Sequence, residues 1–258
     1  MKLKKSLGQY FLVDKKALAK IVEAASLDNQ DVVLEIGSGS GILTKELAHR
    51  AKKVIAIEID EKFAKVLKTN LRKFSNTEAI FGDIREIFPK LNLPKNYKVV
   101  ANIPYYITSP ILKMFLTSRQ KPKEMILLVQ REVAERICAP KGDSSILSIS
   151  VRFYGEPEIL SIVNRNSFRP VPKVDSAILK ISNIVDINTK LANEKKFFKA
   201  VRIGFSSRRK TLANNLSAGF HIPKDRAFAI IKSAGLDIKI RAQKLNLCDW
   251  VKISNIID

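Results

Sequence analysis

The chain has 258 residues, 46% of them apolar, with 46 Lys+Arg against 25 Asp+Glu and a formal net charge of +21. That composition buries a core and excludes a disordered chain, while apolar runs of strand length exclude a membrane-spanning helix. The positive excess, dense at Lys2–Lys5, Lys195–Lys199 and Arg208–Lys210, points to a polyanionic partner, with solubility as the plainer reading.

The opening "MKLKKSLGQYFLVDKK" is basic but lacks a sustained apolar stretch and a small-residue cleavage site, so it reads as mature sequence of a soluble cytoplasmic protein. "VVLEI" (Val32–Ile36) is a buried-strand run, followed by a glycine loop and the helical "ILTKELAHR". "KVIAIEID" (Lys53–Asp60) is a second strand and "EKFAKVLKTNLRKF" a second helix; "EAIFGD" (Glu78–Asp83) and "KVVANI" (Lys98–Ile103) are the third and fourth strands. "SPILKMFL" begins a helix with Ser109 as N-cap and Pro110 at the first helical position. "KEMILLVQ" is a fifth strand, "REVAERI" a short helix and "SSILSISVRFY" a further helix.

Near-continuous apolar strands alternating with helices predict a parallel sheet covered on both faces. "EILSIVN" and "SAILKI" follow with no long helix between them, which predicts an antiparallel, hairpin-like edge and seven strands in all. After Ile181 a polar linker leads into "EKKFFKAVRIGFSS", "RKTLANNLS", "KDRAFAIIKSAG" and "LCDWVKIS". The chain thus divides into an α/β domain over residues 1–185 and a small all-helical domain over residues 193–258.

Chemistry-bearing residues cluster at strand ends. The first loop, "EIGSGSG", holds Glu35, Gly37, Gly39 and Gly41 in a Gly-x-Gly-x-Gly spacing. It is neither the Gly-x-Gly-x-x-Gly of dinucleotide binders nor a phosphate loop, since no Gly-Lys-Ser/Thr follows. Glu58, followed by Ile59 at the end of the second strand, can accept both hydroxyls of a ribose, which by itself also fits NAD. Asp83 can accept from an adenine amino group, with Ile84 against the ring; a solvated turn acid is the plainer reading. Taken together along one sheet edge, these groups suit adenosine without a pyrophosphate, as in S-adenosylmethionine.

The fourth strand ends in Asn102-Ile103-Pro104-Tyr105. The Asn102 amide oxygen and a neighbouring main-chain carbonyl can accept from an exocyclic amino group, Pro104 stiffens the turn and Tyr105 offers a face for a base. A structural turn with Asn capping its own backbone is the alternative. Cys138, Cys248, His49 and His221 supply neither a disulfide framework nor a zinc site, and no metal is expected.

These motifs resemble the adenine amino-methyltransferases, and more narrowly the ribosomal RNA adenine dimethyltransferases of the small-subunit (KsgA/RsmA) type. "LGQYFLVD", "VQREVAERI", "SFRPVPKVDSAILKI" and "FSSRRKTLANNL" extend the resemblance over essentially the whole chain. It implies a Rossmann-like S-adenosylmethionine-dependent methyltransferase domain with a mostly parallel seven-stranded sheet. It also implies that Gln9, Tyr10 and Leu12 help close over the cofactor, that Phe168 stacks the target base opposite Tyr105, and that Arg208, Arg209 and Lys210 track RNA phosphates. Tyr10 stands where the family often has Asn, "PKGDSSILS" lacks a common Tyr-Gly pair, and Gln243-Lys244 replaces a usual glutamate. The implied activity is dimethylation of two adjacent adenines in 16S ribosomal RNA by a monomer that binds the small subunit or its precursor. The related large-subunit dimethyltransferases and a non-catalytic ribosome-assembly factor are the competing readings.

Overall fold

The computed structural model describes residues 10–184 and 193–257, which form two compact units. The first comprises the chain to Ala134 together with Glu156–Ile184. Its sheet contains β2 (Val32–Ile36), β3 (Lys53–Glu58), β4 (Thr77–Phe81), β5 (Lys98–Asn102), β6 (Glu124–Gln130), β7 (Glu156–Val163) and β9 (Ser176–Ser182). Their order is β4-β3-β2-β5-β6-β9-β7. The first five run parallel, whereas β9 pairs antiparallel with both β6 and β7. The expected parallel sheet with an antiparallel edge is therefore present, with the later strand of the terminal pair inserted next to β6.

Burial explains why the central strands read as unbroken apolar runs. Val33, Leu34, Val99, Val100 and Met125 through Val129 are fully enclosed, as expected for a sheet covered on both faces. Helix α1 (Lys15–Ala24), which periodicity at Ala17, Ile21 and Val22 could have revealed, is capped by the Asp14 carboxylate and packs into that core. A second, two-stranded sheet pairs β1 (Phe11–Leu12) with β8 (Phe168–Arg169).

Chain order reverses between β2 and β5: β3 and β4 lie on one side, β5 and β6 on the other. Open α/β sheets bind ligands outside the carboxyl ends of the strands at such a switch point. The opposite edge is closed by buried charge. Lys98 Nζ meets Asp31 at 3.0 Å and Glu124 at 3.2 Å and donates to the carbonyls of Ala25 and Ser26, while Lys180 meets Glu124 at 3.0 Å.

The second unit comprises Glu135–Gly155 and the chain after Ile184. It contains α7 (Ile146–Tyr154), α8 (Glu194–Gly204), α9 (Leu212–Phe220), α10 (Lys224–Ser233) and α11 (Leu247–Ile256). The units thus divide differently from the 1–185 and 193–258 read in sequence. The reason is aromatic: Phe153 packs on Phe197 with ring centroids 4.3 Å apart, and the Tyr154 hydroxyl donates to Glu194 at 2.7 Å. Two of the three departures from the family pattern, in "PKGDSSILS" and at Gln243, meet here, Ser144 N–H donating to the Gln243 carbonyl at 2.9 Å.

Ser109 does not cap its helix. A 3₁₀ turn over Tyr105–Ile107 runs directly into α5 (Thr108–Thr117), so the backbone is already helical two residues before Ser109.

Candidate active site

A cavity of about 290 Å³ opens at the carboxyl ends of β2 to β5. Each strand tip contributes a different kind of group. From β2 comes the glycine loop. Gly39 has φ +53° and an added Cβ would meet the Phe11 ring at 3.1 Å, so glycine is required both by conformation and by space. Gly37 lines the cavity; Gly41 instead caps α2 (Ile42–Ala48) in the left-handed region, and a Cβ there would meet Leu67 at 2.8 Å.

From β3 comes Glu58, 4% exposed. Its Oε2 accepts the Gly39 N–H at 2.7 Å and its Oε1 the Asp60 N–H at 2.9 Å. The carboxylate therefore latches the glycine loop as well as facing the cavity. Burial raises its pKa, against the Asp60, Gly39 and Ile59 backbone donors that hold it down. Next to it, Ile59 lies half exposed on the cavity wall.

From β4 come Asp83 and Ile84, the latter buried at the wall. Asp83 caps the short helix α4 (Ile84–Ile87). Its carboxylate is also held by Arg85, whose Nε lies 3.0 Å from both oxygens and whose Nη2 makes a closer contact. The guanidinium hydrogen bond is the main reason that the Asp83 pKa is lowered. Arg85 was not among the residues singled out in sequence, because nothing in "GDIREI" distinguishes a side chain folded back onto its neighbour from a solvated helix face.

From β5 come Asn102, Pro104 and Tyr105, all on the cavity wall. Asn102 Nδ2 donates to the Tyr10 carbonyl at 3.2 Å. The Tyr105 hydroxyl lies 2.8 Å from Ser176 Oγ, which fixes the ring from the start of β9. Burial raises the Tyr105 pKa, keeping it a neutral phenol. Ser176 is thus a positioning residue that the sequence shows only as part of "SFRPVPKVDSAILKI"; Ser167 in the same motif donates to Asp14 at 2.8 Å.

The remaining expectations fare unevenly. Gln9 lies outside the described residues. Tyr10 lines the cavity, its ring stacked on Tyr105 with centroids 5.5 Å apart. Leu12 is buried in the core beside a smaller cavity of about 50 Å³. Phe168 is the ring expected to stack the target base opposite Tyr105. Phe168 is fully buried, pairs with Leu12 across β1 and β8, and does not line the cavity. Arg208, Arg209 and Lys210 are exposed in the loop between α8 and α9, in the other unit.

The smaller cavity is lined by Glu35, Ser38 and the glycine loop. Glu35 Oε2 and Ser38 Oγ are buried there with no hydrogen-bond partner among the described residues, which is unusual for native polar groups. Burial raises the Glu35 pKa to about 8, against the opposing pull of the Thr44 hydroxyl and with a smaller push from the Glu58 charge. Two hydrogen-bond-accepting acids on adjacent strand tips, apolar walls between them and unpartnered polar atoms behind the glycine loop make a lining that fits a nucleoside with a polar tail.

A family model described as ribosomal RNA adenine dimethylase matches residues 1–258. The chain is 43% identical over 255 residues to the ribosomal RNA small subunit methyltransferase A of Dehalococcoides mccartyi, covering 98% of this chain and 88% of that protein. It is 38% identical over 260 residues to the protein of the same name from Clostridium botulinum, covering 99% and 94%. Among solved structures, a dimethyladenosine transferase from Plasmodium falciparum superposes with a TM-score of 0.80 at 32% identity, over 94% of this chain and 95% of that one. The 23S rRNA methyltransferase ErmE does so at 0.75 and 29% identity, over 96% and 99%. With a Rossmann-like methyltransferase fold and matches that run nearly end to end, the chain belongs to the ribosomal RNA adenine dimethylase family.

Proposed function

We propose that this protein dimethylates the exocyclic amino groups of two adjacent adenines in the hairpin near the 3′ end of 16S ribosomal RNA during small-subunit biogenesis. The observation that carries the reading is one cavity shared by Glu58, Asp83 and the Asn102–Tyr105 turn, in a chain 37–43% identical to small-subunit methyltransferases. S-adenosylmethionine, bound against the glycine loop, Glu58 and Asp83, supplies an electrophilic methyl group.

The chain's own contribution is orientation. An adenine amino nitrogen is a weak nucleophile because its lone pair is delocalised into the ring. Asn102 Oδ1, with a neighbouring main-chain carbonyl, accepts its protons and turns the lone pair toward the incoming methyl. Well-held reactants gain roughly 7–11 kcal/mol from such positioning. The base leaves its RNA stack at a cost of a few kcal/mol, and stacking on Tyr105 returns about 1–3 kcal/mol. Tyr105 acts as a ring and not as a base, since its hydroxyl is engaged by Ser176 and burial raises its pKa. The product proton passes to water. Arg208, Arg209 and Lys210 contact phosphates, giving affinity and salt dependence without base specificity.

The test is labelled methyl transfer from S-adenosylmethionine to small subunits lacking the modification, with large subunits and Asn102→Ala in parallel. Label on dimethyladenine of small-subunit RNA, lost in the variant, is expected. Label confined to large-subunit RNA would reassign the substrate, and RNA binding without label would leave an assembly factor.

A further inference from the structure

We propose that Tyr10 holds the place of the target adenine in the protein without its RNA, and that its ring leaves Tyr105 before a base enters; this rests on the reading of Asn102 and Tyr105 given above. Two contacts carry it. The Tyr10 and Tyr105 rings are stacked, with centroids 5.5 Å apart and planes inclined by 25°. That is a direct aromatic pair, with no room for a base between the rings. The Tyr10 main-chain carbonyl also accepts the Asn102 Nδ2 hydrogen bond at 3.2 Å.

An amide reads an adenine edge by accepting from the amino group while donating to the adjacent ring nitrogen. The Tyr10 carbonyl takes the donating half of that pair, and the Tyr10 side chain takes the stacking face. One residue therefore mimics both the edge and the face of the base. Position 10 is also where this chain carries Tyr and the family often carries Asn. Phe168, the ring expected opposite Tyr105, is sealed in the core, which leaves Tyr10 as the partner observed there. Release is local. Immediately downstream, Phe11 and Leu12 pair with β8 and Val13 N–H donates to the Ser167 carbonyl at 2.9 Å, so Tyr10 can swing out while that pairing persists.

The experiment is single-turnover methyl transfer to unmodified small subunits at saturating S-adenosylmethionine, comparing wild type with Tyr10→Ala, Tyr10→Asn and Tyr10→Phe. Removing the competing ring raises the rate roughly two- to tenfold in the Ala and Asn variants, the worth of one aromatic pair, while Tyr10→Phe keeps the ring and follows wild type. A slower rate in both Ala and Asn would overturn the proposal by making Tyr10 a wall that holds the base or cofactor; so would no change in both. A second readout does not depend on turnover: in protein labelled with 3-fluorotyrosine, the fluorine resonance missing from Tyr10→Phe shifts when the RNA hairpin is added with S-adenosylhomocysteine. A resonance that stays in place at saturation refutes the proposal even if a variant folds poorly. Tyr105→Ala and Asn102→Ala are run alongside; full activity in these two would sink the underlying site assignment instead, independently of Tyr10.

Discussion

Glu35 makes the stability of the cofactor-free protein depend on pH in an unusual direction. It is 1% exposed, and burial lifts its pKa from an ordinary 4.5 to about 8. The folded state keeps this proton to higher pH than the unfolded chain does. The stability it contributes is therefore complete below about pH 4.5 and is lost as pH rises through about 8. Integrated between pH 5 and pH 8, the loss is about 3–4 kcal/mol from this one group. Glu35→Gln keeps the shape and removes the titration. Urea unfolding of both proteins should give similar midpoints at pH 5. At pH 8 the variant should be the more stable by about 3–4 kcal/mol, a midpoint difference of about 1 M urea or more. Glu58, whose pKa is also raised, is present in both, so the difference reads Glu35 together with its coupling to Glu58. Parallel pH profiles for the two proteins would show that Glu35 finds charge compensation in its pocket, and the argument from burial would be refuted.

Other perturbations follow from the same geometry. Glu58→Gln places an amide donor against either the Gly39 or the Asp60 N–H, losing a charge-assisted hydrogen bond worth about 1.5–3 kcal/mol. S-adenosylmethionine affinity measured by calorimetry should fall about 10- to 100-fold; an unchanged affinity would confine Glu58 to loop structure. Lys98→Met strips Asp31 and Glu124 of a buried partner and should cost about 3–5 kcal/mol by chemical denaturation. Because that network lies at the edge of the sheet away from the cavity, methyl transfer below the transition should stay near wild type, and a large loss of activity there would contradict the separation.

Much of the α/β unit was legible because buried parallel strands must be apolar throughout, so "VVLEI", "KVVANI" and "EMILLVQ" announce themselves. The strand-end positions of Glu58, Asp83 and Asn102 follow once those strands are placed. What stayed hidden depends on contacts distant in sequence. The two-residue strands β1 and β8, which hold Leu12 and the buried Phe168, are too short for any period. The Tyr105–Ser176 hydrogen bond spans 71 residues. The helix start at Thr108 was displaced from Ser109 because the turn after Pro104 is itself helical, a continuity that cap preferences alone do not reveal. The unit boundary was missed for a similar reason: the aromatic face of α7 reads the same whether it covers a sheet or meets another helix.

That interposed helix has a consequence for how the protein is made. Tyr154 reaches Glu194, 40 residues further on, while β7 and β9 of the sheet are synthesised in between. At ordinary elongation rates of about 5–20 residues per second, the α7 aromatics wait roughly 2–8 s for their partners. During that interval the nascent sheet can close, while Phe153 and Tyr154 lack the rings of α8 that cover them in the finished fold. The vulnerable moment in biosynthesis, when a chaperone has most to shield, is thus set by the order of elements along the messenger and not by the stability of either finished unit.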